Sequence, residues 1–430
     1  MAKGKRHNRI WPPLDLLNCA SVLEKEGFYV KILDANAERT PMDKIIEYSK
    51  NFDKIFVSSS SLDRWQCPNI NINPFLNLTK KMRKGNLFVM GVHGTIRPRE
   101  ILELTNAKAV MNGEPELTVL DICKGKSLSK IRGISYSRNK GIISTKKRGP
   151  IDLNRLPLPA YHLLNPKRYY YDLLGKNLAI LEASRGCPFS CIFCLKEMYG
   201  SKYRKKSAKN LIKEIDYLVK KLDIKNIYFM DLEFTINKGL VDKLCNHLIK
   251  ERYNLRWCCQ TRADSVDMQL LRKMKKAGCA LIHYGVETGS PRIMNVINKG
   301  IALEKIQNGV RLTKKAGIET ACFFMFGFPT ETRKDMEKTV KFAKELNPTY
   351  ASFHVATPYP NTAFYRYNKT DELFSEAYTK EHSAVYLKGM ADKAFLSFYL
   401  RPNYIIGRLF SANLKSSFNQ FKLFLEFVKG

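Results

Sequence analysis

The sequence predicts an α/β protein. A Rossmann-like, doubly wound parallel sheet comes first, then a partial (β/α)6 barrel, then a helical C-terminal region. Three observations predict this. Residues 1–125 alternate helical and extended patterns, a second alternation of six units begins at Leu178, and the first strand of that series runs into a loop carrying three cysteines. At 430 residues the chain fits two or three domains. We divide it into 1–125, a connector at 126–177, the barrel at 178–365 and the C-terminal region at 366–430.

In the first unit, residues 14–26 carry apolar side chains at helical spacing and stop at Gly27, a natural helix terminator. Phe28-Tyr-Val-Lys-Ile-Leu-Asp34 then reads as a strand, followed by strands at 54–58, 86–90 and 109–111. Parallel sheets bind ligands outside the carboxyl ends of their strands. Those ends hold the serine run 58–61, Gly91-Val-His-Gly94 and Asn112-Gly-Glu114. In the connector, residues 142–150 are basic, and Leu153-Asn-Arg-Leu-Pro-Leu-Pro159 cannot form a regular helix. Barrel strands are predicted at 178–184, 226–230, 256–260, 280–286, 320–326 and 350–355. Helices at 208–222, 238–250, 268–277, 304–316 and 332–345 separate them. The first helix starts behind Ser207, an N-cap, and lines up Leu211, Ile215, Leu218 and Leu222 on one face. Gly278 and Gly317 sit where two of the helices should end. The region after 365 is helical and aromatic, and we read it as a cap over the barrel mouth, with an amphipathic membrane-facing or lipid-receiving surface as the alternative.

Composition narrows the classes. No run of about 18 apolar residues exists, so no spanning helix is expected. The start Met1-Ala-Lys-Gly-Lys-Arg lacks the apolar core of a secretory signal, and eleven unevenly placed cysteines do not form a disulfide framework, which points to a cytoplasmic protein. The 73 basic residues against 40 acidic ones (formal charge +33) are spread along the chain. They read first as a solvated lysine-rich surface, with anionic partners such as nucleic acid less favoured.

Ser184-Arg-Gly-Cys-Pro-Phe-Ser-Cys-Ile-Phe-Cys194 places Cys187, Cys191 and Cys194 at C-x3-C-x2-C spacing. Four thiolates would complete a closed zinc or iron–sulfur site. Three suggest a cubane cluster with one iron left open to a ligand.

This triplet, after the first strand of a six-unit β/α series, resembles the radical S-adenosylmethionine (SAM) superfamily. The resemblance implies a [4Fe–4S] cluster on the three cysteines whose open iron chelates SAM, and whose reduction yields a 5′-deoxyadenosyl radical. It also implies SAM contacts. Phe193 stands beside the adenine. Asp231 and Glu233 in Phe229-Met-Asp-Leu-Glu-Phe-Thr235, at i and i+2 and so on one side of the chain, face the cluster and the amino group. Arg262, with Asp264, neutralises the carboxylate, and Glu287 in His283-Tyr-Gly-Val-Glu287 meets the ribose hydroxyls. Gly327 in Met325-Phe-Gly-Phe-Pro-Thr-Glu331 lies on the adenine side.

The N-terminal unit is similar to the cobalamin-binding domain of one branch of that superfamily, through Trp11-Pro-Pro-Leu-Asp-Leu-Leu, Gly91-Val-His-Gly, Asn112-Gly-Glu-Pro-Glu and Arg132-Gly-Ile-Ser-Tyr136. The resemblance implies cobalamin beside Ser58, Ser59, Arg64, Trp65, Gly91, His93, Gly113 and Glu114, without a cobalt-ligating histidine, since no Asp-x-His-x-x-Gly run occurs. The hydrophobic strand that opens this domain in the family is missing ahead of Trp11. The implied activity is that of a cobalamin-dependent radical SAM enzyme abstracting hydrogen from an unactivated carbon, foremost for C-methylation. It would use an external flavodoxin- or ferredoxin-like electron donor and a small-molecule, lipid-like or peptide substrate. Cyclisation or rearrangement, transfer-RNA modification (methylthiotransferase-like) without cobalamin, and a non-catalytic iron–sulfur or corrinoid-binding protein are the alternatives.

Overall fold

The computed structural model describes residues 9–60, 67–139, 141–367 and 381–411. Short apolar runs build the N-terminal sheet. After β1 (Arg9–Ile10) come β2 (Ile55–Ser58), β3 (Leu87–Met90) and β4 (Ala109–Met111), which are parallel, then the antiparallel pair β5 (Ile134–Arg138) and β6 (Gly141–Ser144), in the order β2-β3-β4-β5-β6. Every residue of β3 and β4 is buried, as a central parallel strand covered on both faces requires. The hairpin lies in the stretch predicted as connector, so this sheet extends to residue 144. Ile134 and Tyr136 are buried against the sheet's core and bring the chain back onto it.

Residues 28–34 differ from the prediction. They form no strand. A strand needs a hydrogen-bonding neighbour about 4.8 Å away. Here residues 28–34 and the edge strand β2 both line a cavity of about 620 Å3, and no described residue lies between them as a strand.

The barrel follows the predicted series closely. Two short strands, β7 (Tyr170–Tyr171) and β8 (Gly175–Lys176), pair with each other and with β1. After them come β9 (Leu178–Leu181), β10 (Ser184–Arg185), β11 (Arg204–Lys205), β12 (Asn226–Phe229), β13 (Arg256–Thr261), β14 (Cys279–Glu287), β15 (Glu319–Phe326) and β16 (Tyr350–Val355). Six of these form one wholly parallel sheet in the order β16-β15-β14-β13-β12-β9. Local chemistry sets the intervening helices. The Ser207, Asn237 and Asp267 side chains accept from backbone N–H groups three residues on, and Thr332 with Asp335 forms a capping box before Arg333–Leu346. Gly278 (φ +94°) and Gly317 (φ +76°) turn left-handed just past two helices, as predicted.

Helix Ala384–Tyr399 does not cap the mouth. Its Leu387, Ala391 and Ala394 pack with Phe326 and Met336, on the outer side of the last two strands. Residues 418–428, part of the predicted amphipathic surface, lie outside the described residues. Among the described residues no helix is long and apolar enough to cross a membrane.

Candidate active site

A cavity of about 540 Å3 opens at the carboxyl ends of the barrel strands and takes one wall from residues 67–70 of the N-terminal unit. The cysteine loop closes over it. Antiparallel pairing of β10 with β11 pinches the loop at its base, Arg185 opposite Arg204. Gly186 permits the pinch, since at φ +85° a Cβ there would lie 2.2 Å from the Lys202 carbonyl oxygen. Cys187, Cys191 and Cys194 all line the cavity. Burial raises all three thiol pKa values. Cys194 is pushed up to about 12, with its two neighbouring thiols adding to the effect. At Cys191 burial is opposed by the cations Lys299, Arg262 and Lys196. Among the described residues no three His, Cys, Asp or Glu side chains stand together as a metal-holding group. The loop therefore gathers its sulfurs into one cavity without assembling them, and metal binding must displace their protons. Three thiols on one short loop, with cations ready to balance thiolate charge, fit a cluster held at three corners.

The acidic pair divides. Glu233 lines the cavity, and its Oε2 accepts from the Arg262 backbone N–H at 2.7 Å. Burial lifts its pKa to about 7, opposed by Lys299 and Arg262. Asp231 was expected to face the cluster beside Glu233, but it is buried beneath the loop, off the cavity. It accepts from the Ala183 N–H at 3.0 Å and from the Ser184 hydroxyl. Both polar groups are on the chain leaving β9, so Asp231 anchors the base of the loop. Burial raises its pKa to about 7 against those hydrogen bonds.

Arg262 lines the cavity with its guanidinium 4.1 Å above the Phe189 ring. Hydrogen bonds to Asp264 (3.0 and 2.9 Å) and to the carbonyls of Lys299 (2.6 Å) and Gly300 (3.1 Å) occupy four of its five N–H groups. The cation is fixed in place with one donor to spare. Glu287 sits at a β-bulge, where the register of β14 on β15 shifts, at φ +72°. Left-handed backbone is costly for a residue with a Cβ, and bulges re-aim side chains. This one turns Glu287 into the cavity, paired with the Lys299 ammonium at 2.9 Å. Phe193 lines the same wall, its ring 5.5 Å from that of Phe328. Gly327 does not reach the cavity. At φ +92° it donates its N–H to Glu331 at 2.6 Å, and a Cβ there would come 2.6 Å from Leu387.

On the N-terminal side two left-handed glycines end the central strands. Gly91 (φ +103°) and Gly113 (φ +87°) follow β3 and β4, and the Gly113 N–H binds Thr95 Oγ1 at 3.0 Å. A Cβ on Gly91 would lie 2.8 Å from the Ser59 hydroxyl. The side chains are spent within the fold. Ser58 donates to Asp15 at 2.6 Å. His93 contacts the Ser59 hydroxyl (3.2 Å) and the Asn69 carbonyl (2.9 Å), so it holds the 67–70 wall in place with both ring nitrogens engaged. Glu114 pairs with Arg185 at 3.2 Å and with Arg204. Arg64 and Trp65 lie outside the described residues.

Sequence reasoning missed the ion network around Arg185, the Lys299 partner of Glu287, and His283 on the cavity floor. Arg185, two residues before Cys187, is fully buried between Glu182 (2.9 Å), Glu116 (2.7 Å) and Glu114 (3.2 Å). Its position beside the triplet was the only available signal. His283 had a stronger one, opening the strand-end motif His283-Tyr-Gly-Val-Glu287.

A parallel six-stranded partial barrel with three cysteines behind its first strand, fronted by a smaller sheet of three parallel strands and a hairpin rather than the doubly wound sheet expected, defines an iron–sulfur enzyme class that opens SAM by electron transfer. Residues 181–343 match the family model of the radical SAM superfamily. An uncharacterized methyltransferase of Pyrococcus horikoshii is 33% identical, over 93% of this chain and 90% of its own. The anaerobic magnesium-protoporphyrin IX monomethyl ester cyclase of Rubrivivax gelatinosus is 28% identical, over 81% of this chain and 65% of its own. Among solved structures, the cobalamin-dependent SAM radical enzyme OxsB superposes with a TM-score of 0.73 at 18% identity, over 96% of this chain and 68% of that one. The radical SAM methyltransferase TsrM from Kitasatospora setae gives 0.69 at 18%, over 84% and 72%. The chain belongs to the radical SAM superfamily and has the fold of its branch with an N-terminal cobalamin-binding domain. Enzymes of this superfamily require an electron donor and a substrate.

Proposed function

We propose that the protein is a cobalamin-dependent radical SAM enzyme that methylates an unactivated carbon. The observation that carries this reading is the shared cavity, where the three thiols, the Glu233–Arg262–Glu287–Lys299 set and the 67–70 wall of the N-terminal unit all meet. Cys187, Cys191 and Cys194 would hold the cluster. Glu233 and Glu287 offer carboxylate to the SAM ammonium and hydroxyls, and Arg262 offers its remaining N–H to the SAM carboxylate. Phe193 covers the apolar side. The carboxyl edge of β2–β4, with its left-handed glycines, would hold the corrin. Bound there, these groups supply a one-electron cleavage of SAM and a methyl carrier. The chain itself positions the ligands and walls the cavity between its two units. The methyltransferase relative supports methylation, while the cyclase relative favours a second reading, radical ring closure.

The test is anaerobic reconstitution with iron, sulfide and cobalamin. About four irons per chain, retained corrinoid, and 5′-deoxyadenosine after reduction with SAM are expected, with each signal of cluster chemistry lost in Cys191→Ala. Trideuteromethyl SAM should pass its label to carbon. Retained corrinoid with no label transfer would move the reading to ring closure, and no 5′-deoxyadenosine would overturn it.

A further inference from the structure

The lumen below the mouth of the cavity carries polar atoms that no described residue satisfies. His283 and Gly285, two apart on β14, share the face toward the cavity, and the bulge turns Glu287 into it as well. Glu287 stands at the mouth with the cysteines, and His283 lies four residues deeper. Gly285 keeps the way between them open, since a Cβ there would come 2.4 Å from Glu287 Oε1 and 3.1 Å from Lys299 Nζ. The His283 ring is stacked between Tyr228 (5.2 Å, 16° between planes) and Phe323 (5.6 Å, 11°). It is 2% exposed, and among the described residues neither Nδ1 nor Nε2 has a hydrogen-bond partner. Burial, with the charge of Arg9 beside it, lowers its pKa to about 3, so the ring is neutral and presents one donor and one acceptor. Trp11 lines the same cavity edge-on to Tyr228 at 5.3 Å, and its buried indole N–H also has no partner among the described residues. Buried polar atoms left unpaired oppose folding, so a ligand that pairs them is favoured. The walls around them are flat rings. Arg9, 4.5 Å over the Trp11 ring, also lines the cavity and disfavours a cationic guest.

We propose that His283 and Trp11 are the substrate-orienting contacts of this enzyme, and that the end of the substrate they hold is a flat, non-cationic ring bearing a hydroxyl or ring N–H. Phe323 and Tyr228 bracket the ring edge, and His283 pairs its heteroatom as donor or acceptor. The inference rests on the radical SAM reading only in taking the lumen as the place where substrate lies.

The test uses the cluster-loaded, full-length protein with two probes of matched shape, 2-naphthol and 2-methylnaphthalene, by equilibrium dialysis without SAM or reductant. Wild type should prefer the naphthol by about tenfold or more, the size of one hydrogen-bonded pair. His283→Phe keeps the stacked ring and removes both nitrogens, so it should lose that preference and still bind methylnaphthalene. Trp11→Phe should lose part of it. Independently of any variant, 15N-histidine spectra of wild type should include a neutral imidazole that is unchanged to pH 5 and whose nitrogens shift when 2-naphthol is added. Equal binding of both probes by wild type, a preference unchanged in His283→Phe, or no shift in the 15N spectrum would each overturn the proposal. Loss of 5′-deoxyadenosine formation would strike the enzymatic reading and leave these binding results standing.

Discussion

Replacing Arg185 by methionine measures how firmly the cysteine loop is tied to the N-terminal unit. The arginine side chain is 0% exposed, and its three carboxylate partners are between 1% and 7% exposed. Methionine keeps much of the stem volume and removes the cation. Glu114 keeps Arg204, but Glu116 and Glu182 lose their cationic partner. Breaking a buried ion pair by deleting one member costs about 3–5 kcal/mol. Here proton uptake by the abandoned carboxylates relieves part of that, and we expect a loss of about 3 kcal/mol near neutral pH. The sign with pH follows. A buried carboxyl without its cation has a folded pKa above its unfolded value, so the stability of the variant is retained at acid pH and falls as pH rises through that folded pKa. In the wild type burial already raises Glu114 against the pull of Arg185 and Arg204. Urea midpoints of the two proteins at pH 5.5 and pH 8 are the assay, with the larger deficit expected at pH 8. Adding Glu116→Gln to Arg185→Met should recover part of that deficit. A deficit under about 0.5 kcal/mol, the size of a surface change, or one that grows toward acid, would refute the argument.

Other predictions follow from single contacts. Glu331 is buried, its pKa raised to about 7 by burial against hydrogen bonds from Gly327 and Phe328, and its Oε1 has no partner. Its contribution is therefore full below the ordinary carboxylate range and declines as pH rises toward 7, so Glu331→Gln should flatten the fall of the thermal midpoint between pH 5 and 7. In Gly285→Ala the new Cβ meets only the far ends of Glu287 and Lys299, so the fold should survive while SAM affinity drops about tenfold by calorimetry. Unchanged affinity would remove the Glu287–Lys299 pair from the proposed SAM site. Gly309→Ala drives a Cβ to 2.1 Å from the Ala263 carbonyl oxygen, forcing helix Leu303–Lys315 off its seat at a cost of about 1–3 kcal/mol, read as a lowered urea midpoint. Cys191→Ala should lower bound iron without lowering the urea midpoint of the metal-free protein, because its half-buried thiol makes no hydrogen bond that the fold needs.

Legibility in the sequence followed the range of the interaction. The barrel helices were readable because each is decided by residues within a few positions, such as Ser207 capping Asn210 or Thr332 boxed with Asp335. Its strands were readable because short, mainly apolar segments recur between those helices, most of them buried. Residues 28–34 have the same apolar character and form no strand, since pairing depends on a neighbour that local sequence does not report. The candidate site divided in the same way. The cysteine triplet and the Glu233, Arg262 and Glu287 strand ends lie within short motifs. Asp231 shares its motif with Glu233, yet its orientation is set by Ala183 and Ser184, which lie 48 and 47 residues earlier in sequence.

The Arg185 network shows why the two units must meet at one cavity. Glu114 and Glu116 follow β4 at the carboxyl edge of the N-terminal sheet, 71 and 69 residues before Arg185, which stands at the carboxyl edge of β9. Each sheet offers its ligand-binding edge, and a buried cation shared between the edges makes them face each other. The stretch from Arg185 to Cys187 is too short to let the loop move independently of that cation. Displacing the N-terminal unit therefore displaces the first cysteine, so the loop that would hold the cluster and the wall that would hold the corrin keep one fixed spacing. Under the proposed function, the two cofactors would need that spacing held constant.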